Sequence, residues 1–472
     1  MKRYKKLLLA VTALMLLGIV FGCGKNETKE HTFGDSTQDR KTNLKTAVCK
    51  DCGKTATPLT AKENVNFEAY CKGDVSLTLL VSGGSAEVDF LVDGEVVLTK
   101  TYEPGEHTQT VTTGLEEGWY SFTLRLRNSA KVYVSDIQVD GKIARKDAVI
   151  LELKKKDDSK GQYEDFFVYV KTSDPSGRYY VRYNFIYEFN DKVEGTVNST
   201  DNINAFRIKQ AYLVEITGIT EEKVMYDSVM TVLYHGEIAL AAKEDHPAAV
   251  DFVGGFHGDD NMTAFQLKAD GIEYVPGEMN AVVICDSLEI FQEATINRCA
   301  QPDVPVMTHT QNYTIDAAGV KLDKSLTWLT DDFNSTMVYM QMFTLARAAC
   351  EDLMVLNSAG ENPYGDQGIN VLEDTDVKID SQPDLYADKK VLSSTENRHL
   401  IYSSDKTGIS ARIGFDIVDN SCSVREAFVQ LRYKDAKDNK WYVNFTCADG
   451  STTPKIGEVW KLNTYFDIDY VE

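Results

Sequence analysis

Apolar and polar residues alternate through much of the stretch from Val65 to Ile143. The alternation is clearest in Val75–Leu79, Ala86–Phe90 and Phe122–Leu126. Glycine-containing turn pairs such as Asp93-Gly94 separate these runs. Alternation interrupted by regularly spaced turns is typical of short antiparallel strands. The pattern therefore predicts a small β-sandwich over residues 61–145.

The larger part of the chain, residues 146–472, carries runs rich in aromatic and β-branched side chains, which favour strands. These runs are Phe166–Val170, Tyr179–Phe185, Ala211–Val214, Ala281–Ile284 and Trp441–Phe445. Residues 339–356 contain several alanines and fit a helix or a strand. We expect an all-β chain, in which an N-terminal jelly roll or β-sandwich precedes a larger, jelly-roll-like β-sandwich region.

The amino terminus combines a basic start with an apolar run, Leu7–Phe21. A membrane-spanning helix needs roughly 20 residues, so this shorter run has the layout of an export signal. The run ends in Val20–Cys23, where Gly22 stands directly before the cysteine. This ending resembles the lipobox of bacterial lipoproteins. The resemblance implies a signal peptide over residues 1–22, a diacylglyceryl lipid on Cys23 and a membrane-anchored location on the extracytoplasmic face.

Two other interpretations of this terminus remain, a plain secretory signal and an uncleaved anchor, and both also export the chain. The residues that follow, 23–60, are polar and have almost no apolar periodicity. This composition predicts a flexible linker between the lipidated cysteine and the first sandwich.

The chain is acidic, with a formal net charge of −22. Nucleic-acid binding needs a basic surface that replaces counterions, so the charge argues against it. Removing residues 1–22 takes away the four positive charges of Lys2, Arg3, Lys5 and Lys6 and leaves −26. Anionic lipid head groups repel such a body, which suits a protein on a tether. The same charge favours a neutral glycan over an anionic polymer as a partner.

Two stretches of the first sandwich, Gly114–Leu124 and Ser135–Gly141, carry a recognisable pattern of glycine and alternating apolar residues. They resemble carbohydrate-associated jelly rolls, namely the non-catalytic domain of certain acetyl-xylan esterases and some carbohydrate-binding modules. The resemblance implies a glycan-binding role for residues 61–145.

Nine cysteines occur in the chain, and eight remain if Cys23 carries a lipid. Cys49 and Cys52 form a C-x-x-C motif that lacks the second ligand pair of a zinc site. A local disulfide or two thiols are favoured over zinc. Bridges between Cys285 and Cys299, and between Cys422 and Cys447, also fit an exported protein, but sequence does not fix the connectivity.

The segment Asp251–Asn261 places three glycines around His257, Asp259 and Asp260. An imidazole and two carboxylates can serve as an acid/base pair or bind a divalent metal ion. The stretch Gly254–Asp260 resembles a glycine- and histidine-rich signature of bacterial and phage-tail β-sandwich proteins that act on glycans. The alternative is a glycine-rich turn whose aspartates cap backbone amides. The sequence names no cofactor and leaves room for a structural Ca²⁺ ion.

His309, Gln311 and Tyr313 alternate along a run that reads as a strand, so their side chains share one face. Together with an arginine such as Arg347, this set resembles the catalytic equipment of jelly-roll polysaccharide lyases. The lyase hypothesis requires that the three side chains line an open groove. The alternative is an ordinary polar face on a solvent-facing strand.

No G-x-S-x-G, G-x-x-x-x-G-K-[ST] or G-x-G-x-x-G motif occurs, so acyl hydrolases and nucleotide-binding classes are unsupported. The leading hypothesis is a cell-surface lipoprotein that binds, and in one version also processes, a polysaccharide. The alternatives are a non-enzymatic adhesion or interaction lipoprotein, and a polysaccharide lyase or metal-dependent hydrolase that uses the histidine sets above. The sequence leaves the oligomeric state and the existence of an enzymatic activity open.

Overall fold

A computed structural model describes most of the chain beyond the amino terminus. The described residues are 32–39, 42, 44–146, 148–157, 161–174, 176–190, 203–216, 222–230, 240–245, 252–254, 259–299, 301–346, 348–350, 352–356, 369–370, 398–419, 426–430, 438–445 and 452–472. Every regular element within them is a β-strand. The chain divides into two compact units, Met1–Ile143 and Ala144–Glu472. The predicted fold class, an all-β chain with a smaller and a larger sandwich region, is confirmed.

The first unit contains eight strands within its described residues. They are β1 (Thr37–Gln38), β2 (Lys45–Val48), β3 (Thr55–Leu59), β4 (Val65–Ser82), β5 (Ala86–Val92), β6 (Glu95–Tyr102), β7 (Gly105–Leu126) and β8 (Lys131–Ile143). They join in one antiparallel sheet in the order β1-β2-β3-β8-β4-β7-β5-β6. The alternation of apolar and polar residues predicted the central strands correctly, because buried and exposed residues alternate along them.

The pairing of the long central strands of this sheet is irregular close to several glycines. The β4–β7 register shifts around Gly73, whose φ of +71° favours glycine. On β8, a Cβ at Gly141 would overlap the backbone oxygen of Tyr70, so only glycine fits there. The buried core of the unit contains Phe67, before the bend, and Leu77, after it. Residues from both sides of the register shift thus share one core.

Strands β1, β2 and β3 fall in the segment predicted to be a flexible linker, and that prediction is wrong for their residues. Strand β3 pairs with β8 of the main sheet. The buried side chains of β2 and β3 include Ala47, Ala56 and Thr57. Small and hydroxyl side chains contribute little to a hydropathy pattern, which is why the strands escaped detection.

A buried carboxylate lies between the outer strands of this unit. Asp89 on β5 is fully buried and stands opposite Arg125 on β7 and Thr99 on β6. Arg125 donates to Oδ2 at 2.6 Å, while Arg127 and Thr99 each reach Oδ1 at 2.7 Å. Burial alone would raise the pKa of Asp89, but these donors outweigh it and lower the pKa to about 2. The carboxylate is therefore held in its charged form.

Replacing Asp89 with Asn should destabilise the first unit by about 1.5–3 kcal/mol, because a neutral amide leaves charged donors poorly paired. Asp89 has a lowered folded-state pKa, so its contribution is present above pH 3.8 and is lost as the pH falls towards 2. Hydrogen exchange of β5 and β7 peptides at increasing urea concentration measures both effects. Glu87→Gln is the control, since Glu87 makes a longer, partly exposed pair with Arg127 at 3.7 Å. Equal effects of the two substitutions would contradict this account.

The second unit begins with strands that lie close together in sequence. They are β9 (Val149–Leu153), β10 (Phe166–Lys171), β11 (Tyr179–Asn190), β12 (Ile203–Ile216), β13 (Glu222–Met230), β14 (Ala241–Glu244), β15 (Asp260–Ala269), β16 (Ile272–Tyr274), β17 (Ala281–Cys285), β18 (Leu288–Arg298), β19 (Gln301–Asp316) and β20 (Gly319–Trp328). The rest are β21 (Ser335–Ala346), β22 (Asp352–Leu356), β23 (Ile369–Asn370), β24 (Arg398–Ser403), β25 (Ile409–Asp419), β26 (Glu426–Gln430), β27 (Asp438–Asn444) and β28 (Val459–Tyr470).

These strands form two sheets within the described residues. The main path of the larger sheet runs β17-β9-β10-β11-β12-β15-β18-β19-β20-β28-β25-β24-β22-β23, with β13 beside β12 and β16 beside β15. A smaller sheet has the order β14-β21-β27-β26. Residues 339–356, which the sequence left undecided between helix and strand, supply parts of β21 and β22. In β21 the buried Val338 and Met340 alternate with the more exposed Met337 and Tyr339, which is a strand pattern.

The core of this unit forms because the larger sheet folds back on itself and the smaller sheet packs against it. Tyr183 on β11 contacts Phe466 on β28 with ring centroids 5.7 Å apart, although several strands separate β11 from β28 in the sheet. Phe343 on β21 meets the same Phe466 at 5.5 Å. Aromatic contacts across the interior therefore join β28 to β11 and to β21, although neither strand is next to β28 in the sequence or in a sheet.

Candidate functional site

His309, Gln311 and Tyr313 share one face of β19, as the sequence predicted, but that face is turned inward. Their exposed fractions are only 4%, 5% and 4%. Met307 and Ile315, which lie on the same face, are fully buried. The open groove that the lyase hypothesis requires at these residues is therefore absent from this face of β19. Polar side chains usually face solvent, but the register of β19 places these three with the core residues.

A row of amides on this buried face is joined by hydrogen bonds, which do not include the buried His309 Nε2. Gln292 on β18 stands opposite Gln311, and its Nε2 donates to Gln311 Oε1 at 2.8 Å. The Gln292 Oε1 accepts the backbone N–H of Phe206 at 2.7 Å. Gln311 Nε2 donates in turn to the Tyr313 hydroxyl at 3.3 Å. The amides thus connect β12, β18 and β19 through hydrogen bonds, as buried polar groups require.

Lys324 on β20 continues this row and is almost completely buried. It pairs in register with Gln311 and shares its face with the apolar residues Leu322 and Leu326. Its Nζ donates to the Met340 carbonyl oxygen and to Gln341 Oε1, each at 3.0 Å. Both acceptors belong to β21 of the smaller sheet. One amine therefore connects the two sheets across the interior.

The protonation of Lys324 follows from its surroundings. Burial disfavours the charged ammonium and lowers the pKa of Lys324 to about 7, although the Asp260 carboxylate acts in the opposite direction. Burial, followed by the positive charge of Lys324, holds the pKa of His309 well below its ordinary value. At neutral pH the interior therefore holds a neutral imidazole beside an amine that is close to its titration point.

The predicted set of His257, Asp259 and Asp260 is described only in part, because His257 lies outside the described residues. Asp260 begins β15 and acts on Lys324 through its charge. Asp259 is buried, has a φ of +65°, and its carbonyl oxygen accepts the backbone N–H of Asn297 at 3.1 Å. Among the residues the structure describes, no three His, Cys, Asp or Glu side chains are grouped to hold a metal ion.

Several other predictions also fall outside the described residues. They concern Cys23 with its signal peptide, Arg347 and the Cys422–Cys447 pair. Cys285, by contrast, is described: its Sγ donates to the Val149 carbonyl oxygen at 3.6 Å.

Sequence reasoning missed Lys324, Gln292 and Gln341, yet a signal for the first two was present. In β20 the residues on the inward face run Val320, Leu322, Lys324, Leu326 and Trp328, so a lysine occupies an apolar position of the alternation. Gln292 breaks the apolar face of β18 in the same way. A search for polar residues in an apolar register would have found both. The hydrogen bonds of the buried Lys324 amine go to β21, which favours a role in joining the sheets.

The opposite, outward face of the large sheet carries a different arrangement around Tyr465. Tyr465 on β28 pairs with Gly414 on β25, and a Cβ at position 414 would overlap its ring carbons. The tyrosine ring therefore lies over the glycine, and its side chain is half-buried. Arg412 and Asp416 lie on the same face of β25, on either side of the glycine, and both are exposed.

Charged groups around this ring interact with one another. Burial and the Asp416 charge raise the pKa of Tyr465, while Arg412 acts against the shift. Asp467, which stands opposite Arg412, has its pKa raised to about 6 by burial and by the neighbouring Asp469, again against Arg412. An aromatic ring beside a guanidinium and carboxyl groups offers both an apolar face and hydrogen-bonding partners.

A second partly exposed aromatic group lies on β11 of the same unit. The rings of Tyr187 and Phe189 are nearly parallel, with centroids 6.3 Å apart, and Phe189 is 39% exposed. Tyr163 packs edge-on against Tyr187 at 5.3 Å. These rings stack mainly on one another and on the buried Phe206. These rings are therefore an outward extension of the hydrophobic core and not a separate binding surface.

Comparisons with known proteins identify no family for this chain. No family model matches it, and no curated protein is similar in sequence. Among solved structures, a galactose mutarotase-like protein from Clostridium acetobutylicum covers 68% of this chain and 99% of its own length. The TM-score is 0.30 and the sequence identity is 6%, and these values are too low to support an inference about this chain.

The described part of the chain contains no helix with the length and apolar character that crossing a membrane requires.

Replacing Lys324 with Met should remove a specific pH dependence of stability. Between about pH 7 and pH 10.5 the unfolded chain binds a proton that folded Lys324 lacks, so the free energy of unfolding rises with pH. Met keeps the apolar stem and cannot titrate, so this rise disappears. Hydrogen exchange of β20 and β21 peptides at pH 7 and pH 9, corrected for intrinsic exchange rates, measures the difference. The control is Lys321→Met, an exposed lysine on the same strand. If the free energy of unfolding of the Lys324→Met variant still rises with pH as it does in Lys321→Met, this account is wrong.

Proposed function

We propose that this chain is an exported, lipid-anchored protein whose second unit binds a neutral polysaccharide on the outward face of its large sheet. The observation that carries the proposal is the ring of Tyr465 lying over Gly414 between exposed polar groups. A pyranose presents an apolar C–H face that matches an aromatic ring and hydroxyl groups that need hydrogen-bonding partners at the ring's edge. The Tyr465 site supplies both.

Glycine at position 414 is what keeps the ring in this position. Any larger residue would occupy the space of the tyrosine ring carbons and force the ring away from the sheet. The site is also built on two paired strands, β25 and β28, which hold binding groups more rigidly than loops do. A preformed platform needs little ordering on binding, and this favours affinity.

The charge around Tyr465 favours a neutral ligand. Arg412 is the cation whose charge acts on this tyrosine, and Asp416, Asp467 and Asp469 surround the same region. Carboxylates in excess of the cation repel a uronate polymer. The net charge of the whole chain, −22, acts in the same direction. Neutral glycans are therefore the expected ligands, and uronate polymers are not.

Replacing Tyr465 with Ala should weaken glycan binding about tenfold, which corresponds to about 1.4 kcal/mol for the loss of one stacking ring. The measurement is a glycan array followed by titration calorimetry on the full chain in detergent, with neutral and uronate-containing polysaccharides. The matched control is Phe189→Ala, which removes an exposed ring from the other aromatic group.

Loss of binding in the Phe189 variant alone would move the site to β11 and contradict the proposal. Failure of every glycan to bind the unchanged chain would favour the alternative of a non-enzymatic adhesion protein with a protein partner. Assays for reducing ends and for the absorbance of unsaturated products, run on the same samples, separate binding from processing.

The membrane anchor in this proposal rests on the resemblance of Val20–Cys23 to a lipobox. Changing Cys23 to Ala should prevent lipid attachment and move the protein from the detergent phase to the aqueous phase in a phase-partition experiment. Metabolic labelling with a radioactive fatty acid should label the unchanged chain and leave the variant unlabelled. Labelling of the Cys23→Ala variant would contradict lipidation at this cysteine.

A further inference from the structure

The C-x-x-C motif lies in a tight turn of the first unit. Cys49 follows strand β2, and the turn returns to β3 at Thr55. The backbone N–H of Gly53 donates to the Cys49 carbonyl oxygen at 2.8 Å, and the N–H of Cys49 donates to the Lys54 carbonyl oxygen at 2.9 Å. The first bond closes a single helix-like turn that contains both cysteines, and the second closes the hairpin between β2 and β3.

The geometry of such a turn suits a disulfide between the two cysteines. Residues three apart in a helical turn have Cβ atoms about 5–6 Å apart. A disulfide needs a Cβ separation of about 3.5–4.5 Å. Closing the bridge therefore requires the two Cβ atoms to approach each other by about 1–2 Å. Gly53, with a φ of +74°, follows directly and lets the backbone adapt.

The two cysteines differ in their access to solvent. Cys52 is exposed, whereas Cys49 is buried at a bridge to Phe33. The other cysteines that the structure describes, which are Cys71, Cys285, Cys299 and Cys350, are all buried. An oxidant in solution therefore reaches Cys52 first among the described cysteines. The Cys49 Sγ, which lies 4.0 Å from Asp51 Oδ2, belongs to the same turn and is the thiol that can resolve a mixed disulfide.

We propose that Cys49 and Cys52 are a thiol–disulfide exchange pair, in which the exposed Cys52 attacks and the buried Cys49 resolves. The co-reactant is a small-molecule or protein disulfide. Cys52 attacks one sulfur of that disulfide and forms a mixed disulfide, and the first thiol of the co-reactant is released. Cys49 then attacks the Cys52 sulfur, closes the internal bridge and releases the second thiol. Two electrons pass to the co-reactant, and the protons of the two cysteines end on the released thiols.

The consequence of this pair is local. A bridge over so short a loop removes little entropy from the unfolded chain, so it adds little global stability. It instead fixes the β2–β3 turn against Phe33, which is stacked on Tyr133 with ring centroids 3.9 Å apart. The inference concerns the first unit and is independent of the glycan site proposed on the second unit.

The test exposes the full chain in detergent to mixtures of oxidised and reduced glutathione, followed by alkylation of remaining thiols. Trypsin cuts after Lys50 and so separates the peptides Thr46–Lys50 and Asp51–Lys54. An internal bridge keeps these two peptides linked in the mass spectrum. We expect the linked pair in the unchanged chain, and a glutathione adduct on Cys52 in Cys49→Ser that is at least about tenfold more abundant.

Two controls define the roles of the cysteines. In Cys52→Ser the buried Cys49 should stay unmodified, as should Cys71 in every sample. Equal glutathione adducts on Cys52 in the unchanged chain and in Cys49→Ser would overturn the proposal, because no resolving step would then exist. Absence of any reaction at Cys52 across the oxidant series would overturn it as well.

Discussion

The interior of the second unit depends on the burial of one amine between two sheets. Lys324 occupies an apolar position of β20, and its Nζ donates to Met340 and Gln341 across the core. An unpaired ammonium in this place would cost several kcal/mol. The core reduces that cost by lowering the pKa of the group and by supplying two acceptors at 3.0 Å. These two hydrogen bonds thereby fix the position of β20 relative to β21.

Other polar contacts reinforce the same arrangement. Arg298, at the end of β18, reaches Glu244 on β14 at 3.0 Å and Asp332 at 2.7 Å, so it also joins the larger sheet to the smaller one. The Gln292–Gln311 pair fixes the register of β18 against β19. A slip by one residue would turn these amides towards solvent and bring polar outer residues into the core. These polar contacts therefore join β18 to β19 and the larger sheet to the smaller one.

The outward face of the same sheet has the opposite character. Its residues are exposed or half-buried, and the ring of Tyr465 lies over Gly414 in the middle of charged groups. The two faces arise from one alternation along the strands, since neighbouring residues point in opposite directions. Residues 464 and 466 of β28 face the core, and Tyr465 between them faces out. A stable interior and an accessible platform are thus two results of the same strand register.

The sequence by itself determined that the chain is all-β, because alternation is a local property that each strand carries. It also determined that His309, Gln311 and Tyr313 share a face. Only the tertiary structure decided which face is covered, because the larger sheet folds over itself and places strands distant in sequence on either side of these residues. For the same reason Lys324 and Gln341 met only in the folded chain, and the pairing of Gly414 with Tyr465 had no local signal. Small side chains in β2 and β3 likewise hid strands that pairing with β8 stabilises.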